Sequence, residues 1–212
     1  MSHGVHAVQH EAEHQMEHDA KHGGHGEGHD KLNKRVALLI AFIALFLAFS
    51  ETLGKSAQTA ALNYQIEASN LWNFFQAKNI RRTATIVASE SAKIDLVGAD
   101  DAKKAALAKQ IDEWTKTAAR YQSEPEAAGG KGEGTRELSR RAIEEREKRD
   151  VALAKYHHYE VASAAFQIGI VLASATVITG MVALSFLAGA LGLVGIAFMG
   201  IGLFAPHAVH LF

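Results

Sequence analysis

The sequence contains no cysteine, which excludes disulfide bonds, thiolate metal sites and cysteine nucleophiles. Proline is almost as scarce, because only Pro125 and Pro206 occur among 212 residues, so long helices can form over most of the chain. Charge is missing from one end: no Asp, Glu, Lys or Arg follows Glu160. These three absences favour a helical protein whose C-terminal part is suited to a membrane.

Residues 51–160 hold eighteen basic and seventeen acidic side chains, so no net field attracts nucleic acid or an acidic partner from a distance. We therefore expect no nucleic-acid partner. No local motif supplies a nucleophile, a base and oxyanion donors together. The segment GGKGEGT, at 129–135, also lacks the residue order of a phosphate-binding loop. The sequence predicts a protein that is not an enzyme.

Three apolar stretches are long enough to cross a lipid bilayer. The sequence therefore predicts the lipid bilayer as a partner of this protein. The first begins at Val36, directly after Lys34 and Arg35, and has nineteen residues when counted to Gly54. The other two are separated only by the turn at 179–180. The predicted segments are a His-rich tail at 1–35, spans at 36–54, 161–179 and 181–205, an extramembrane helical domain at 55–160, and a C-terminal tail at 206–212.

The region between the first two spans has helical patterns throughout. No Gly or Pro occurs from Ser56 to Ile94, and a second helix is predicted at about 101–122 from the seam Leu107, Ile111, Trp114, Ala118 and Tyr121. A charged helix follows the Gly-rich loop, with i,i+4 partners that indicate a solvated face. It leads into the second span through Tyr156, His157, His158 and Tyr159, which are typical of an interfacial belt. The predicted fold class is therefore an all-α membrane protein with three transmembrane helices and a helical domain between the first and second.

Small residues recur at four-residue intervals in the second and third spans, where they allow helix backbones to approach closely. We interpret them as positions for helix packing or oligomerisation, the alternative being the lining of a pore. They are Ala165, Gly169 and Ala173 in the second span, and Ser185 with Gly189 and Ala188 with Gly192 in the third.

The stretch from Arg35 to Thr83 resembles a bacterial membrane family catalogued as domain of unknown function four-three-three-seven. The resemblance rests on a span that ends in E-x-x-G-K-S, on a following E-A-S-x-L-W-x-F-F-Q-A-K run and on a basic pair. It implies the architecture and no catalytic residue. The candidate site residues at the motif positions are Glu51, Gly54, Lys55, Glu67, Trp72, Phe74, Phe75, Gln76 and Lys78.

Within this motif, Glu51 and Lys55 are four residues apart on one helix face, so we expect them to pair. The expected location is a bacterial inner membrane, with several spans. Lys31, Lys34 and Arg35 favour a cytoplasmic N-terminus, because the middle domain is long enough to translocate regardless of its charge. The expected function is an oligomeric scaffold or an accessory subunit that acts through helix–helix interfaces, as a homo-oligomer or with a partner in a membrane complex. An oligomeric channel or transporter component is one alternative, and a metal- or pH-responsive protein is the other.

The third function depends on the N-terminal tail, where eight of the twelve His residues occur at intervals of three or four. In a helix, the imidazoles of His6, His10, His14 and His18 lie on one face, where neighbouring rings can share a low-affinity Zn, Ni or Cu ion. The alternative is a solvated His-rich tail without a metal. No other cofactor is expected.

Replacing His6, His10, His14 and His18 with Ala is expected to abolish zinc or nickel binding, because it removes the only predicted imidazole face. Calorimetric titration of the full chain measures the uptake. Equal uptake by the wild type and the variant would end the metal hypothesis.

Overall fold

The computed structural model describes residues 27–125 and 131–209, and this part of the chain forms four helices and no strand. The predicted all-helical class is confirmed. Helices α1, α3 and α4 are each long and apolar enough to cross a membrane by length and composition. The four predicted tail ligands His6, His10, His14 and His18 lie outside the described residues. The helices are α1 (Glu27–Asp95), α2 (Asp101–Gln122), α3 (Thr135–Thr179) and α4 (Val182–Phe204).

Helix α1 has 69 residues and joins the first apolar stretch to the polar helix that follows it. It is not interrupted from Gly54 to Ser56. The chain reverses after α1 at Gly98, whose φ of 87° lies in the left-handed region that favours glycine. The Asp100 side chain then caps α2 by accepting a hydrogen bond from the Lys103 amide at 2.8 Å. Gly180, with a φ of 71°, separates α3 from α4 in the same manner.

The chain divides into two compact units. The first unit, here called the apolar unit, is Met1–Thr59 with Val151–Phe212. Its described residues contain the beginning of α1, the end of α3 and all of α4. The second, here called the charged unit, is Ala60–Asp150 and contains the rest of α1, all of α2 and the beginning of α3. Each unit has its own buried cluster of apolar side chains.

The core of the apolar unit is built where the three helices approach closely. Phe166 of α3 is fully buried and stacks on Phe46 of α1, with ring centroids 6.1 Å apart. Ile43 and Ala188 belong to the same cluster. Gly195 of α4 lies against the Phe166 ring, where an added Cβ would come within 2.5 Å of a ring carbon. The glycine therefore provides the space that the Phe166 ring occupies.

The core of the charged unit joins α1 to α3 through Leu71, Leu138 and Ala142. The charged helix contributes to this contact in a way that its sequence did not predict. Among the described residues, one of the expected i,i+4 pairs forms: Arg140 lies 3.8 Å from Glu144. Arg149 instead donates to Gln65 Oε1 of α1 at 2.7 Å, and the Arg146 guanidinium lies 5.3 Å from the Trp72 ring centroid. Ion pairs within this helix also form at other spacings, Lys148 with Glu145 at 2.6 Å and Arg149 with the adjacent Asp150 at 2.6 Å, so the predicted i,i+4 pattern is largely replaced by these pairs and by contacts with α1.

The predicted seam of α2 is the side of that helix that packs. Ala118 is buried, and Leu107, Ile111, Trp114 and Tyr121 are half-buried. The end of α2 is also tied to α1, because Arg82 donates to Gln122 Oε1 at 3.0 Å.

Gly195→Ala is expected to destabilise the apolar unit by about 1–3 kcal/mol, because the new methyl group overlaps the Phe166 ring. The matched control is Gly200→Ala in the same helix, where an added Cβ meets no atom within 4 Å. Thermal unfolding in detergent, followed by circular dichroism, compares the two variants. Equal melting temperatures would contradict the close contact at Gly195.

Candidate functional site

A set of polar side chains interrupts the apolar unit near one end of its buried core. We call it the polar layer, and it consists of Ser50, Glu51, His158, Tyr159 and Gln167. Ser50 is fully buried, and its Oγ donates to the Tyr159 carbonyl oxygen at 2.9 Å. This bond joins α1 to α3 and satisfies a hydroxyl that would otherwise be buried without a partner.

Two glycines make room for α3 in the polar layer. At the motif position Gly54, an added Cβ would contact the Tyr159 Cβ at 3.4 Å. At Gly202 of α4, it would lie 2.9 Å from a Tyr159 ring carbon and 3.1 Å from the His158 Cβ. Tyr159 is therefore enclosed by small residues of both neighbouring helices.

His158 is the most deeply buried ionisable residue of the polar layer, with no exposed surface. Its Nε2 lies 3.0 Å from the Pro206 carbonyl oxygen. Because a carbonyl can only accept, Nε2 carries the hydrogen and donates it. The other ring nitrogen, Nδ1, has no hydrogen-bond partner within the described residues. His158 thus links α3 to the residues after α4.

Two of the four members of the predicted interfacial belt do not face outward. His158 and Tyr159 are buried between helices, whereas Tyr156 and His157 are half-exposed. A pattern of His and Tyr at the end of an apolar stretch cannot distinguish these placements, because the small residues that admit the rings are far away in sequence. The signal that was missed is the pair of glycines, Gly54 and Gly202.

Glu51 and Gln167 form the outer part of the polar layer. Both side chains are exposed on the surface of the apolar unit, and Gln167 Nε2 donates a long hydrogen bond of 3.4 Å to Glu51 Oε1. The expected pair between Glu51 and Lys55 is not formed in this part of the chain, where Lys55 is also exposed. Glu51 therefore reaches sideways to α3 rather than along its own helix.

The predicted small-residue positions divide into two groups. Ala165, Gly169, Ala173 and Gly192 are buried within the unit, and an added Cβ at Gly169 would lie 3.3 Å from the Ala188 carbonyl oxygen. Ser185 and Gly189 are only half-buried, and an added Cβ at Gly189 meets no atom within 4 Å. The first group therefore packs within one chain, and the second leaves space on the surface of α4.

In the charged unit, the motif residue Lys78 is the centre of an ion-pair cluster. Its side chain is only 9% exposed, and its Nζ lies 3.1 Å from Glu124 Oε2 and 3.5 Å from Glu133 Oε2. The ammonium also lies 5.3 Å from the centroid of the half-exposed Phe74 ring. The ammonium of Lys78 thus binds two glutamates in the segment between α2 and α3.

Glu137 strengthens the same region. Its carboxylate accepts hydrogen bonds from Ser123 Oγ at 2.7 Å and from the Glu124 amide at 3.2 Å. Burial acts to raise the pKa of Glu137, but the hydrogen bonds from Ser123 and from backbone amides outweigh it and lower the pKa. The start of α3 is therefore anchored by an ionised carboxylate.

The remaining motif residues have structural or exposed positions. Trp72 and Phe75 pack on the Leu71 cluster and on each other, edge to face, with centroids 5.2 Å apart. Glu67 and Gln76 are exposed. Within the described residues, no group of three or more His, Cys, Asp or Glu side chains is arranged to hold a metal ion.

These observations define an all-helical protein with three helices that are long and apolar enough to cross a membrane. A family model described as Domain of unknown function (DUF4337) matches residues 32–205, and the chain belongs to this family. No curated protein and no solved structure matches the chain.

Lys78→Met is expected to destabilise the charged unit by about 1 kcal/mol, because it keeps most of the aliphatic stem but removes the ammonium from two half-exposed carboxylates. Hydrogen exchange at the first turn of α3 is expected to accelerate. The matched control, Lys116→Met, removes an exposed pair with Asp112 of 2.6 Å and is expected to leave exchange at α3 unchanged. Identical exchange in both variants would show that the Lys78 cluster does not hold the segment between α2 and α3.

Proposed function

We propose that this chain is a multi-pass inner-membrane protein whose spans are 36–54, 161–179 and 181–205, with 55–160 outside the membrane. The apolar character of α1, α3 and α4 supports this placement, as does the absence of charged residues after Glu160. Lys31, Lys34 and Arg35 precede the first span and favour a cytoplasmic N-terminus.

In this membrane, the chain serves as a non-enzymatic scaffold or accessory subunit that assembles through helix–helix interfaces. The observation that carries the proposal is the outward-facing pair of Glu51 and Gln167. Gln167 lies six residues beyond Val161, which corresponds to about 9 Å of helix at 1.5 Å per residue. Glu51 lies three residues before the end of the first span at Gly54, about 4.5 Å by the same rise, so the two side chains meet in the outer part of the hydrocarbon.

A carboxylate at that depth is costly when it faces lipid, by about 2.5–3.5 kcal/mol near the centre and less toward the edge. The rest of the outward surface is apolar. Its large exposed residues include Phe42, Leu45, Ile168 and Val171. Those side chains are suited to lipid, and the Glu51–Gln167 pair is suited to a polar neighbour. Protein–protein contact at this point removes the pair from lipid.

The same pair favours an oligomeric channel or transporter component as a second candidate function. Glu51 and Gln167 face away from the interior of a single chain, so they line an aqueous path only if several copies surround it. Three spans in one chain are few for a transport path, and an oligomer is required.

We expect the wild type to be oligomeric in mild detergent, and we expect Glu51→Gln and Gln167→Leu to weaken the assembly about tenfold or more. Light scattering after size exclusion measures the mass, with Ile168→Leu as the matched control on a neighbouring exposed position. A wild type that is monomeric and has no stable partner would overturn the scaffold proposal. Ion flux in liposomes tests the second candidate: a wild type that does not conduct rejects it, and equal flux in both variants and the wild type would show that Glu51 and Gln167 do not line the path.

A further inference from the structure

One exposed face of α1 in the charged unit carries uncharged side chains at heptad spacing. The steps between successive positions are 3, 4, 3, 4 and 3, which is the repeat of a supercoiled helix interface. The three largest members, Ile80, Val87 and Ile94, are 69%, 62% and 73% exposed. We call this face the α1 seam, and it consists of Ala77, Ile80, Ala84, Val87, Ser91 and Ile94, all of which are exposed.

The opposite face of α1 already makes the contacts within the unit. Leu71, Lys78, Ser89 and Ala92 are buried there, and Arg82 bonds to the end of α2. The α1 seam therefore has no covering element among the described residues of the charged unit. It extends over about 25 Å, from Ala77 to Ile94, at 1.5 Å per residue. Three large apolar side chains exposed in one uncovered row are typical of an interaction surface.

We propose that the α1 seam is covered by the same seam of further copies of this chain, in a parallel coiled coil. The inference rests on the proposed membrane placement. Copies that insert into the membrane in one orientation all direct α1 the same way, because the first span and the seam belong to one uninterrupted helix. Parallel helices in register then place each seam residue opposite its own counterpart, which makes the surface self-complementary.

The composition of the α1 seam is compatible with the same seam of another copy of this chain as its partner. Ala77, Ala84 and Ser91 fall on the a positions of the heptads, where small side chains permit close approach, and Ile80 and Val87 fall on d positions. One heptad earlier, the exposed Asn70 occupies an a position, where a buried Asn specifies the register.

The charges beside the seam are compatible with assembly. Glu90 occupies a flanking g position, where it faces the e-position Asp95 of a parallel neighbour. Lys93 of the same helix binds Glu90 at 2.7 Å, so much of the repulsion between these carboxylates is neutralised within each chain. Salt is expected to have a small effect on the assembly at this end.

Cysteine cross-linking tests the proposal directly, because the natural chain has no cysteine. The full chain is reconstituted in bilayers as Val87→Cys and, separately, as Ile80→Cys, and it is treated with copper phenanthroline. A disulfide needs Cα atoms about 4.4–6.8 Å apart, a distance that core positions of a coiled coil approach. We expect at least five times as much linked dimer as in the control Ile86→Cys, a half-exposed position one residue away that is turned from the seam.

A second measurement separates failure of this interface from failure of the scaffold function. Val87→Glu is expected to lower the oligomer mass in detergent while keeping the helix content of the wild type. If the wild type forms oligomers and both seam variants cross-link no better than Ile86→Cys, the α1 seam proposal is overturned and the scaffold proposal stands. A monomeric wild type overturns both.

Discussion

Close approach of helix backbones is the constraint on which the apolar unit depends. Small residues at the helix contacts let the backbones approach closely, so packing and internal hydrogen bonds hold the helices together. Gly169, Gly195 and Gly202 bring α4 against α3 and its rings. That proximity lets His158 reach Pro206, and Gly54 of α1 allows the close approach at which Ser50 of the same helix reaches the Tyr159 carbonyl. The polar layer is thus a consequence of the glycines as much as of the polar residues.

The charged unit is held by a different balance of forces. Its small apolar core at Leu71, Leu138 and Ala142 is extended by cations that span from one helix to another. Arg149 bonds to Gln65 and Lys78 bonds to Glu124, so each long side chain covers apolar surface with its stem and meets a polar group with its tip. The long charged side chains of this unit therefore contribute to the packing between its helices.

The family motif joins these two kinds of contact along one helix. Gly54 admits Tyr159 in the apolar unit, and Glu51 meets Gln167 at its surface. Further along α1, Trp72 and Phe75 pack on the core, and Lys78 organises the segment between α2 and α3. At these motif positions, α1 therefore contacts other parts of the chain. The faces of α1 and α3 that remain outward, with the Glu51–Gln167 pair and the α1 seam, are those available for assembly.

The sequence by itself determined the helical class and the presence of three helices long and apolar enough to cross a membrane, because hydropathy and helical periodicity act locally along the chain. The predicted second helix at 101–122 and the turn at Gly180 follow from the same local chemistry. Only the tertiary structure decided which partner each polar group meets. Glu51 lies beside Gln167 and not Lys55, and His158 is buried between helices. Residues that are distant in sequence make these contacts, and no local pattern of spacing records which helix surfaces approach closely enough to exclude water or lipid.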